Sequence, residues 1–164
     1  MPDAVDTILD QWARERPDLD RAPMGILGRI ARLAKVHDAF NAQTFSKFGL
    51  QPDEFDVLAT LRRHGAPFEL NPRELLRTMM VASGTMTHRL DKLEKAGLIQ
   101  RGADPTDRRG VLVRLTADGK HIVDDAVEAH VRRQSQLLEP LGATDREVLT
   151  DLLRRLASSV EPHR

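Results

Sequence analysis

The feature that most constrains the fold is an abrupt change of hydrophobic period near Gly97. Before it, in SGTMTHRLDKLEKAGL, Met86, Leu90 and Leu93 recur at the spacing of one helical face, with Ser83 placed to cap the start and Gly97 to end the run. After it the period falls to that of a strand. LIQRG and VLVRLT are short β-favouring runs on either side of ADPTDRRG, a polar turn with Pro and Gly, which reads as a hairpin.

Two further short helices precede this pair. PDEFDVLATLRRH has Pro52 in its first turn, and NPRELLRTM has Asn71 as cap, Pro72 at the first helical position and Glu74 completing a capping box. Three short helices followed by a hairpin make a winged helix-turn-helix. Outside it lie longer helices. One spans about residues 4–15, where Val5, Ile8, Leu9 and Trp12 share a face, and PDLDRAP links it to an amphipathic stretch from about Met24 to Phe48 that stops at Gly49. Thr116 opens a long helix to about Leu138, and Pro140 and Gly142 separate it from a last helix with Thr144 and Glu147 as its capping box. The expected fold is mainly α with a small β-hairpin wing. Val148, Leu149, Leu152, Leu153 and Leu156 form an apolar stripe on the last helix that a small protomer has little core to cover, so a dimer is expected.

Charge points to the partner. The chain has no net charge, with 25 basic and 25 acidic side chains, but residues 62–116 hold eleven Lys/Arg against six Asp/Glu. A basic middle between acidic flanks suits a local polyanion site. At the start and along the polar flank of the helix before the hairpin, Ser83, Thr85, Thr87, His88 and Lys92 stand where such groups reach base edges and phosphates in a major groove. Arg108 and Arg109 stand on the hairpin tip beside Asp107, suited to a minor groove.

Other classes find no support. The six histidines form no metal-binding pair and no Gly-rich phosphate loop is present, so neither an enzyme nor a metal or cofactor site is expected. Cysteine is absent, which removes disulfides and thiol redox sensing. No apolar run approaches the ~18 residues of a membrane span and the N-terminal stretch is acidic, so the expectation is a cytoplasmic protein without membrane contact.

The run SGTMTHRLDKLEKAGLIQRGADPTDRRGVLVRLTADGK resembles the recognition helix, wing and following helix of MarR-type transcription regulators. The shared features are Leu-x-x-Leu-Glu-x-x-Gly-Leu-Ile-x-Arg, the Asp-Pro-x-Asp-x-Arg wing and Leu-Thr-x-x-Gly leading into the next helix. The resemblance implies a homodimer on a palindromic operator in double-stranded DNA. It divides the chain into N-terminal helices over 1–48 (ligand-site lid and dimerisation), a winged helix-turn-helix lobe over 49–116 and C-terminal dimerisation helices over 117–164. The extra leading helix with the single Trp is similar to the urate-responsive branch, the PecS- and HucR-like regulators. That likeness implies a ligand set of Trp12, Asp56, Arg89 and Arg101, with Asp56 pairing Arg89 in the free protein, and urate or a related purine as effector releasing a repressor. A MarR-type regulator answering another small anion, a phenolate or tricarboxylate, and a DNA-binding protein without a small ligand stay open as alternatives.

Overall fold

Helix α1 (Ala4–Glu15) starts at a full capping box: Asp3 accepts the N–H groups of Val5 and Asp6, and Asp6 accepts that of Asp3. Helix α2 (Ala22–Ser46) follows, and Gly49 leaves it at φ 71°, a left-handed conformation that glycine adopts without strain. The two helices meet closely because α2 offers glycines. A Cβ on Gly25 would sit 3.4 Å from Leu9 Cδ1, and one on Gly28 would sit 3.4 Å from Val5 Cγ1. Val5 is buried there, and Arg29 closes the contact with Nε 2.9 Å from Asp3 and Nη2 2.6 Å from Asp6. The backbone N–H groups of Asp6 and Val5, and then Arg29, hold the Asp3 carboxyl below its ordinary range. The N–H of Asp3 and Arg29 do the same for Asp6.

The computed structural model describes residues 2–79, 86–105, 107 and 110–160. The chain divides into two units, residues 1–52 and 53–164. The second unit runs α3 (Pro52–His64), β1 (Glu69–Leu70), α4 (Pro72–Thr78), α5 (Met86–Lys95), β2 (Ile99–Ala103), β3 (Val111–Leu115), α6 (Ala117–Leu137) and α7 (Ala143–Val160). Its sheet is antiparallel in the order β1-β3-β2, with Arg101 opposite Val113 and Leu70 opposite the same residue on the other side. The hairpin was anticipated. Strand β1 was not, since two residues are too few to show a period. Val57, Leu58, Leu61, Leu75, Leu93 and Val113 are sealed from solvent and form the core under the sheet and short helices.

Two joints fix the modules. At the start of α6, Thr116 caps Gly119 N–H and donates its hydroxyl to the Gly97 carbonyl, while its own N–H reaches the Leu98 carbonyl. A Cβ on Gly119 would lie 1.9 Å from the Leu98 oxygen, so glycine is what lets α6 approach the start of β2. The second joint corrects an expectation. Helix α7 begins at Ala143, with Arg146 N–H donating to the Gly142 carbonyl, so Thr144 lies inside the first turn and makes no capping box with Glu147. The turn is held instead by the Arg146 guanidinium, which donates to the carbonyls of Leu138 and Leu141. Helix α7 buries no residue, and Leu152 is 52% exposed.

Candidate nucleic-acid interface and effector site

Helix α5 sorts its residues by face. Met86, Leu90 and Leu93 point into the core, and Thr87 and His88 are exposed. Arg89 stands three residues after Met86 and four before Leu93, which places it on the flank of the buried face, and its side chain is only 5% exposed. A desolvated guanidinium needs partners. One is present: Nε lies 2.8 Å from Asp53 Oδ2. Nη1 is buried with no hydrogen-bond partner among the described residues.

The expected partner was Asp56. It lies one turn further along α3, is itself mostly buried, and has the Arg63 guanidinium 3.8 Å away. Asp53 and Asp56 share a helical face, so side-chain period could not choose between them. Sequence reasoning missed Asp53 as a site residue, and its neighbour Glu54 as well. Glu54 is buried and accepts from Lys92 Nζ at 2.6 Å. The hydrogen bond to Glu54 and its charge, with a smaller contribution from Asp53, hold the Lys92 ammonium above its ordinary pKa. Adjacent acids in the first turn of α3 thus meet cations three residues apart on α5. That spacing was the available signal. Lys92, expected on a phosphate, is ion-paired with Glu54, although half of its side chain stays exposed.

Arg101, at the base of the wing, turns back toward α5. Its Nη2 lies 2.5 Å from Asp91, its backbone N–H donates to Glu94, and its Nε is buried 3.6 Å from Glu94 Oε2, with no hydrogen-bond partner among the described residues. A cleft of about 340 Å³ opens beside it, lined also by Glu69, Gln100, Leu112 and Arg114. In the wing turn, Gly110 donates to the Asp107 carbonyl and accepts from Asp104 N–H, and a Cβ on Gly110 would come within 2.7 Å of the Asp104 side chain. Ser83, Thr85, Arg108 and Arg109 lie outside the described residues. In the first unit, Trp12 sits at the far end of α1 from the Arg29 clasp and is 42% exposed. No cluster of His, Cys, Asp and Glu suited to a metal ion exists among the described residues, and no described helix is long and apolar enough to cross a membrane.

Comparison with known proteins gives this arrangement its context. The MarR family model matches residues 50–111. The transcriptional regulator PecS of Dickeya dadantii is 40% identical over 152 residues, covering 93% of this chain and 92% of that protein. The ligand-free structure of MarR from E. coli aligns with a TM-score of 0.66 at 28% identity, over 79% of this chain and 95% of that one. BpsR of Bordetella bronchiseptica, whose DNA binding is regulated by 6-hydroxynicotinic acid, aligns with a TM-score of 0.70 at 27% identity, over 85% and 96%. An antiparallel wing behind a helix with an exposed polar face, joined to this likeness along nearly the whole chain, makes it a member of the MarR family of winged-helix DNA-binding transcription regulators, which are not enzymes.

Proposed function

We propose that the protein is a homodimeric repressor that leaves a palindromic operator when urate or a related purine anion binds. The observation that carries this is Arg89. A guanidinium fixed on the recognition helix, buried, held by the Asp53 carboxylate and with Nη1 unpartnered among the described residues, is suited to exchange that carboxylate for an anionic ligand. Urate offers carbonyl and anionic oxygens to arginines such as Arg89 and Arg101, and it is the likeness to the urate-responsive branch that adds Trp12 as a stacking face. Asp53 supplies the charge that the ligand displaces, with Asp56 close by on the same face of α3. Resemblance to PecS over nearly the whole chain supports the branch. The exposed stripe on α7 supports dimerisation, which would set two α5 helices on half-sites one helical turn apart.

The test begins with a duplex that the protein selects from a random pool. Its mobility shift is titrated with urate, xanthine, salicylate and 6-hydroxynicotinate in parallel, while the fluorescence of Trp12 is followed. Release by urate or xanthine with quenching is expected, and Trp12→Phe should weaken the response while sparing DNA binding. Release only by salicylate or 6-hydroxynicotinate would replace the purine with a phenolate or pyridine acid. No release by any of them would remove this ligand reading.

A further inference from the structure

We propose that Glu54 sets the DNA affinity of the protein by holding Lys92, so that DNA phosphate and the Glu54 carboxylate compete for one ammonium. Three observations carry this. Lys92 lies one turn after the exposed His88, so its stem follows the polar flank of α5 rather than its core face. The side chain is 55% exposed, leaving the ammonium within reach of a polyanion, yet Nζ is bound to Glu54 at 2.6 Å. Glu54 is buried at the first turn of α3 and cannot follow Lys92 outward, so the ammonium must leave it to meet a phosphate.

The pair differs from its neighbour in what each partner can do. In Asp53–Arg89 the cation is the buried member, and it stays in the protein. In Glu54–Lys92 the anion is the buried member and the cation is the one that can move. A tether that merely fastened α5 would strengthen DNA binding. A competitor weakens it, and the two roles therefore predict opposite signs for the same substitution.

The decisive experiment measures salt dependence on a mixed-sequence duplex of several helical turns, followed by fluorescence anisotropy, where each phosphate neutralised contributes about 0.9 to the slope of log K against log salt. Glu54→Gln keeps the volume and removes the charge. It should steepen the slope by about 0.9, so that affinity falls roughly 3.5-fold more than in the parent between about 50 and 200 mM salt, and binding at low salt should be tighter. Lys92→Gln and the double variant should share one slope, equal to the parent's and about 0.9 shallower than that of Glu54→Gln. Weaker binding by Glu54→Gln, or an unchanged slope, would show a fastening role and overturn the proposal. A steeper slope that survives in the double variant would show a general charge effect and overturn it too. Should Glu54→Gln fail to fold by circular dichroism, Glu54→Asp replaces it, since one methylene less withdraws the carboxylate from Lys92. The same increase in slope is then required.

Discussion

Removing Asp53 should cost far more than removing the arginine it holds, because the two partners differ in access to water. The Arg89 side chain is 5% exposed and that of Asp53 is 41% exposed. In Asp53→Ala the guanidinium stays buried and loses its carboxylate. A hydrogen bond to a charged group contributes about 1.5–3 kcal/mol, and the partial exposure of Asp53 argues for the middle of that range, about 2 kcal/mol. Roughly 0.5 kcal/mol of this is the lost acidic charge at the first turn of α3. In Arg89→Met the remaining Asp53 is met by water and a donor with no partner disappears, so the cost should stay near 0.5 kcal/mol. Adding Asp53→Ala to Arg89→Met should then cost only the first-turn share, which leaves a coupling energy of about 1.5 kcal/mol. Urea denaturation of all four proteins at one fixed protomer concentration measures it, since the proposed dimer would make stability concentration-dependent. Equal costs for the two single variants, or a larger coupling of Arg89 to Asp56 than to Asp53, would refute the reasoning.

Gly119→Ala should destabilise by about 1–2 kcal/mol in urea: displacing the Leu98 carbonyl outweighs the ~1 kcal/mol that alanine gains in a helix. Acid should loosen α1 before the rest of the chain. The carboxyls of Asp3 and Asp6 are lowered by folding, so the clasp on Arg29 is intact above their unfolded value of 3.8 and is lost as pH falls through the lower folded values. Trp12 fluorescence below that pH should change ahead of the far-ultraviolet circular dichroism, and coincident transitions would count against it. With α7 as the proposed dimer seam, Leu152→Asp with Leu156→Asp should give a monomer in sedimentation velocity where the parent gives a dimer, and abolish tight operator binding.

Sequence alone reached the elements where a local rule decides. Asn71, Pro72 and Glu74 satisfy the start of α4 among themselves, and the structure has that capping box. The period switch after Gly97 located the hairpin because alternation needs only neighbours on one strand. Thr144 shows the limit. The spacing for a capping box is present, but Arg146 reaches back to the Leu138 and Leu141 carbonyls and the helix starts earlier, a choice made by the whole turn rather than by spacing. The Arg89 partner was hidden for a related reason. Burial of Arg89 follows from its place beside Met86 and Leu93, but whether Asp53 or Asp56 meets it depends on how α3 is offset along α5, and that offset is set by the core. Glu54 was hidden more deeply, since a charged residue reads as solvated until its partner is seen.

The placement of Arg89 also limits how strongly an effector can act. A ligand shifts the balance between DNA-competent and released states only through its difference in affinity for the two. Nothing among the described residues accepts from the buried Nη1, and a charged donor left so carries a penalty of about 1–3 kcal/mol that an anionic acceptor would remove. If the acceptor reaches Nη1 only when α5 has left its DNA-reading position, that penalty is the coupling energy, and it corresponds to a change in operator affinity of roughly 5–150-fold. Linkage then demands the reverse with equal size. Urate must bind the operator complex more weakly than the free protein by the same factor by which it weakens operator binding. Trp12 fluorescence titrations with and without saturating operator give one factor, and mobility shifts with and without saturating urate give the other. Two factors that disagree would mean that urate acts on a state other than these two, and the exchange at Arg89 would not be the event that moves the helix.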